Sequence, residues 1–199
     1  PIVMGNELAG VVEAVGTGVT RFAVGDRVYA RVDKDHMGAL AEFAVVHEDH
    51  AAAMPAALDF TTAAAVPLAA LTALQALRDE LRLSAGQRVF IPGGAGGVGT
   101  FAIQLAKHMG AHVATTASSR GEALVKRLGA DVVIDYTRER FEDHLSGYDC
   151  AFDLLGGDTL SRLFRVLKPG ARVVSVAGLP EPQTARQDLG RGPALAALF

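Results

Sequence analysis

The residues best placed to do chemistry in this chain are those with the least side chain. Arg88 to Gly99 reads RVFIPGGAGGVG, and Gly94, Gly96 and Gly99 fit G-x-G-x-x-G. Val89, Phe90 and Ile91 ahead of it form a short apolar run suited to a strand buried on both faces. Val98 to Met109 behind it has Phe101, Ile103, Leu105, Ala106 and Met109 at apolar positions, as a helix would. A strand, a glycine turn and a helix in that order make an otherwise weak motif informative. The first glycine permits a tight turn, the second lets backbone approach a pyrophosphate, and the third lets helix pack on strand. Free N–H groups at the positive end of the helix then face the phosphates, so Gly94, Ala95, Gly96, Gly97, Val98 and Gly99 are the candidate contacts. The ligand they imply is a dinucleotide.

An NAD site wants a carboxylate roughly 20 positions past the glycines to accept bonds from the ribose 2′-OH. Here that region reads Ala114-Thr115-Thr116-Ala117-Ser118-Ser119-Arg120, with hydroxyls and a guanidinium instead. A 2′-phosphate carries charge that Arg pairs well, so Ser118, Ser119 and Arg120 favour NADP(H). The alternative is an ordinary loop whose Ser119 caps a helix at Gly121.

The elements that must hold these residues follow from the rest of the chain. Of 199 residues, half are hydrophobic and 21% charged, as in a globular protein. A net charge of −3 gives no reason to expect nucleic acid or an anionic membrane as partner, and no apolar run approaches a bilayer span. Cys150 is the only cysteine, which excludes an internal disulfide and points to a reducing, cytoplasmic setting. Residues 1 to about 50 read as short strands and turns, over Leu8–Val15, Arg27–Ala30 and Ala39–Val46. Thr61 or Thr62 caps a helix running from about Ala63 to Leu81. Beyond Gly99, strands at His112–Thr116, Asp131–Ile134, Asp149–Leu155 and Ala171–Ala177 alternate with helices at Gly121–Leu128, Glu139–Leu145 and Thr159–Leu167. Such alternation predicts an α/β doubly wound parallel sheet of Rossmann order, with ligand at the carboxyl ends of the strands. Both ends of the chain read as cuts through a longer protein.

Several stretches together resemble the medium-chain dehydrogenase/reductase superfamily. They are Gly5-Asn6-Glu7-Leu8-Ala9-Gly10, Val24-Gly25-Asp26-Arg27-Val28, the run from Ala63 to Leu77, GGAGGVG, Leu128-Gly129-Ala130-Asp131 and Leu167-Lys168-Pro169-Gly170-Ala171. The likeness covers nearly the whole chain and is strongest to the zinc-free quinone oxidoreductase branch, which includes NADPH-dependent reductases of α,β-unsaturated aldehydes and ketones. It implies part of a GroES-like β domain with a bridging helix over residues 1–75, an incomplete Rossmann domain over 76–199, and an active site in the cleft between them. It further implies that Thr72 lies near the nicotinamide and Tyr136 near the adenosine phosphate end. Leu155, Gly156, Ala177 and Gly178 would run beside the ribose and nicotinamide, and the protein would be a homodimer.

The zinc enzymes of this superfamily carry His where this chain has Asn6, and an amide is a poor ligand for zinc. The polar clusters Asp33–His36 and His47–His50 read as solvated turns, so no metal is expected. Without a Lewis acid, reduction of a quinone or an activated C=C is the fitting chemistry. Charge developing on the carbonyl oxygen needs hydrogen-bond donors, and a proton must reach the α-carbon. Asn6 and Thr72 are the weak candidates for the catalytic side, and Thr72 could equally bond back to its own helix. A metal-using carbonyl or alcohol dehydrogenase, an enoyl-reductase domain of a larger synthase and a non-catalytic NADPH-binding relative are the rival readings.

Overall fold

The computed structural model describes residues 3–33 and 37–177, and the chain divides into two compact units after Leu71. In the first, β1 (Glu7–Val11), β2 (Arg27–Arg31) and β3 (Ala51–Ala53) form an antiparallel sheet in that order. Glu7 stands opposite Arg31, Val11 opposite Arg27 and Tyr29 opposite Ala52. The β1–β2 connection closes where the Gly25 amide bonds the Val12 carbonyl and the Val12 amide bonds that of Asp26, both at 2.9 Å. The stretch Ala39–Val46, expected as a strand, is irregular, and Val45 is 98% exposed. Its apolar composition suits a strand, but among the described residues no neighbouring strand supplies the ladder that would make it one.

α1 (Phe60–Ala64) opens with Asp59 as its cap, the carboxylate accepting the Thr62 amide at 2.6 Å. The expected caps, Thr61 and Thr62, lie inside the first turn, because the acid one turn earlier already satisfies the free amide. The expected single helix is also broken. α2 (Pro67–Leu74) restarts at Pro67, whose ring suits a first helical position and not an interior one, and a π-helical turn over Gln75–Glu80 follows. Glu7 ties α2 to β1 by accepting the Leu68 amide at 2.7 Å.

The second unit is built on a five-stranded parallel sheet of β4 (Arg88–Ile91), β5 (His112–Ala117), β6 (Val132–Asp135), β7 (Tyr148–Asp153) and β8 (Leu167–Ser175). Its order is β6-β5-β4-β7-β8, the predicted Rossmann arrangement, with the chain reversing direction across the sheet between β4 and β7. Helices α3 (Gly97–His108), α4 (Ser119–Arg127) and α5 (Gly157–Leu163) connect the strands, with a 3₁₀ turn at Phe141–Asp143 where a short helix was expected. Alternation along β4 divides the core. Val89 and Ile91 pack with Ala102, Ile103 and Ala106 of α3 and Val125 of α4. Phe90 faces the opposite layer, with Ile134, Tyr148, and Leu160 and Leu163 of α5. Successive strand residues buried on both sides are what a sheet covered by helices on each face requires.

Candidate dinucleotide site

The glycine loop divides its residues between packing and presentation. Gly94 and Gly99 are buried, whereas Ala95, Gly96 and Gly97 are exposed at the crest. A Cβ on Gly94 would fall 2.1 Å from Thr115 Oγ1 and 2.8 Å from Ile103 Cδ1, and one on Gly99 2.6 Å from the Gly93 carbonyl. Side chains at either place would push α3 off the sheet. A Cβ on Gly97 would meet nothing within 4 Å. The left-handed turn falls on Gly93 (φ 79°), one residue before the glycine assigned that role from the motif.

Two threonines of β5 fix this loop. Thr116 Oγ1 accepts the Gly93 amide at 2.9 Å, and Thr115 Oγ1 accepts the Gly94 amide at 3.0 Å while donating to the Ile91 carbonyl at 2.6 Å. Sequence reasoning grouped both hydroxyls with the groups facing a 2′-phosphate, but both residues are buried and their hydroxyls are engaged by the loop. Beyond the loop, Gly96 precedes α3 in extended conformation with no side-chain cap, and the Thr100 amide closes the first helical turn on the Gly96 carbonyl at 2.9 Å. The amides of Gly97, Val98 and Gly99 therefore stand at the positive end of a 12-residue helix, ahead of its first turn bond. An open crest and uncapped amides fit a diphosphate.

The end of β5 lies beside this crest. Gly121 packs against Ala95 and Ala117, and a Cβ on it would come 2.9 Å from the Ala95 Cβ. Ser118 is the helix cap residue of α4, one position before the expected Ser119, and its side chain makes no capping bond. Ser119 and Arg120 are exposed in the first turn of α4. Asp135, ending the neighbouring β6, accepts from the hydroxyl and amide of Thr137 at 2.6 and 3.0 Å. These bonds, with a smaller contribution from the Ser119 amide, hold its carboxyl below the usual range. Tyr136 follows it and is 62% exposed.

At the other side of β4, Leu155 covers the loop: a Cβ on Gly93 would lie 3.0 Å from Leu155 Cδ2. Gly156 (φ 67°) sits against Ala177, where a Cβ would be tight, the nearest atom being the Ala177 carbonyl oxygen at 3.0 Å. The second unit thus brings together Gly93–Gly99, Leu155, Gly156 and Ala177 at the carboxyl ends of the strands, with Ser118–Arg120 beside the crest. Thr72 is half-buried on α2, at the beginning of this unit. Asn6 belongs to the first unit, where its carbonyl accepts the Val32 amide at 2.9 Å. Gly178 lies outside the described residues, as do three of the four residues of the Asp33–His36 cluster. In the His47–His50 turn, Glu48 accepts the Thr20 and Arg21 amides at 3.0 and 2.9 Å, which depress its carboxyl pKa.

A parallel sheet in this order with an open glycine crest defines a domain of the dinucleotide-binding Rossmann class. The alcohol dehydrogenase GroES-like domain model matches residues 1–56, and the zinc-binding dehydrogenase model residues 97–192. The chain is 42% identical over 191 residues to an NADPH-dependent alkenal/one oxidoreductase of Arabidopsis thaliana, which covers 92% of this chain and 48% of the relative. Among solved structures, the quinone oxidoreductase of Coxiella burnetii superposes with a TM-score of 0.86 at 36% identity, covering 94% of this chain and 59% of that one. An alcohol dehydrogenase superfamily protein of Novosphingobium aromaticivorans superposes with a TM-score of 0.85 at 34% identity, covering all of this chain and 67% of that one. The chain belongs to the medium-chain dehydrogenase/reductase superfamily, on its quinone oxidoreductase branch. It spans about half the length of the plant relative.

Proposed function

We propose that the protein containing this chain is an NADPH-dependent oxidoreductase that reduces quinones or α,β-unsaturated carbonyls without a metal. The observation that carries the reading is the exposed crest of Ala95, Gly96 and Gly97, held by Thr115 and Thr116 at the start of α3. The likeness to an NADPH-dependent alkenal/one oxidoreductase supports the same cofactor and substrate class. NADPH, when bound, supplies the hydride. The amides of Ala95, Gly97, Val98 and Gly99 bind its diphosphate, that of Gly96 being held by the Gly93 carbonyl at 3.0 Å, and Ser118, Ser119 and Arg120 bind the 2′-phosphate. Tyr136 flanks the adenosine end, and the backbone at Leu155, Gly156 and Ala177 runs along the nicotinamide half. Thr72 and Asn6 serve the substrate side as hydrogen-bond donors. Asn6 in place of an imidazole supports metal-free chemistry, because a carboxamide binds zinc poorly.

Residues 1–75 act as part of the substrate-binding domain and 76–199 as the cofactor domain, in a homodimer of a cytoplasmic protein. No helix among the described residues is long and apolar enough to cross a membrane. Steady-state assays of the full-length protein test the reading. NADPH oxidation by quinones, alkenals or enones, unchanged by a chelator, is the expected result. NADPH binding with no turnover across all three classes would overturn the catalytic reading and leave a binding protein.

A further inference from the structure

Asp153 is fully buried at the carboxyl end of β7, where the sequence FDLLGG carries a charge inside an apolar run. Its surroundings are donors. Oδ1 accepts the amides of Leu155 and Gly156 at 3.1 Å, and Oδ2 accepts the Gly156 amide at 3.1 Å and the Ser175 hydroxyl at 2.7 Å. Ser175 Oγ in turn accepts the Ala177 amide at 3.2 Å, and the Asp153 carbonyl accepts that of Val176 at 3.1 Å. One side chain therefore sets the backbone leaving both β7 and β8. Carboxylates are seldom left in a core without such compensation, because removing the charge from water is costly.

The direction of the sheet says what this backbone faces. Phosphate contacts follow β4, and the ribose-phosphate residues Ser118–Arg120 follow β5, on one side of it. With the order β6-β5-β4-β7-β8, a dinucleotide laid across the strand ends extends its other half over β7 and β8. Building on the NADPH reading above, we propose that Asp153, acting through Ser175, is a positioning residue for the nicotinamide half of the cofactor and not for its adenosine half.

Calorimetric titration of the full-length protein with NADPH and with 2′-phospho-ADP-ribose, which lacks only the nicotinamide, separates the two. Asp153→Ala is expected to weaken NADPH about tenfold, the loss of hydrogen bonds to a charged group. Ser175→Ala should weaken it severalfold, and 2′-phospho-ADP-ribose should stay within about twofold in both. Asp153→Asn should restore most NADPH affinity, since a carboxamide can accept both amides and donate to Ser175 Oγ. Should Asp153→Ala fail to fold, Ser175→Ala carries the same comparison. Equal loss for the two ligands, or no loss for either, overturns the proposal while the cofactor reading stands. A wild-type protein that binds neither ligand overturns both.

Discussion

Thr115 and Gly94 are locked together: the threonine oxygen lies 3.0 Å from the glycine amide and occupies the space a Cβ on that glycine would need. The same hydroxyl bonds the Ile91 carbonyl at 2.6 Å, so it cannot swing aside without breaking two bonds. Binding geometry and fold stability are therefore set by one contact. The loop stays tight because β5 holds it, and an open crest beyond it is the consequence.

Gly94→Ala should destabilise the protein by about 3 kcal/mol through overpacking, and weaken NADPH as the loop shifts. Thr115→Ala should cost about 1–2 kcal/mol through the lost hydrogen bonds. The double variant should lose less than the sum, because removing Oγ1 opens the space the new methyl needs. Urea unfolding of the four proteins measures the coupling; strict additivity would show that the two residues do not share the space.

Arg120 sits exposed beside the crest, and its guanidinium enters no ion pair among the described residues. If it binds the 2′-phosphate, Arg120→Ala should weaken NADPH by about tenfold while leaving NADH within about twofold. The wild-type preference should also shrink as salt is added, because an exposed pair is screened. Fluorescence titration with both cofactors decides the matter, and an equal change for NADH would remove Arg120 from that role.

The second unit was far more legible in the sequence than the first. Val89-Phe90-Ile91 announces a buried strand because covered strands are apolar without interruption, and the glycines after it mark where the strand must stop. Ala39–Val46 has equally suitable residues, but a strand exists only with a partner, and composition does not reveal partners. Asp59 was within reach as a cap, since an acid just before an apolar helical run is a common start signal. Asp153 was not, because a carboxylate at a strand end reads as a turn residue until its donors are placed around it. The threonines of β5 misled in the same way: their hydroxyls can serve a ligand or a neighbouring loop, and only burial separates the two.

Cys150 is buried in β7, and burial first, then the charge of Asp149, pushes its thiol up to about 12. The thiolate is the reactive form, so the native protein at pH 8 should leave this residue unlabelled by iodoacetamide. Label should appear on the Cys150 peptide once denaturant unfolds the domain. Peptide mass mapping follows both states, and rapid native labelling would show that the β7 core opens.

Glu142 and Arg162 form a two-point ion pair in the second unit. Arg162 Nε and Nη2 reach the two carboxylate oxygens at 2.6 and 2.5 Å, and Arg140 adds a contact at 3.2 Å. Arg162 first of all lowers the Glu142 pKa from 4.5 to about 2, against the opposing effect of burial, and the Arg162 pKa rises in turn. Glu142 is only 8% exposed and Arg162 26%, so solvent screens the pair little. A carboxyl whose folded pKa lies below its unfolded value stabilises the fold above the unfolded value and loses that contribution as pH falls through the folded one. The shift corresponds to roughly 3 kcal/mol, fully present above pH 5 and lost progressively down to about pH 2. Glu142→Gln should lower stability at pH 7 and flatten its dependence over that window, leaving Arg162 with the exposed Asp158, 3.3 Å away, as its charged partner over Phe141, whose ring lies 4.8 Å from the guanidinium carbon. Unfolding midpoints of wild type and variant from pH 7 downward should converge with acid; a constant gap between the two curves would mean that the ion pair contributes nothing.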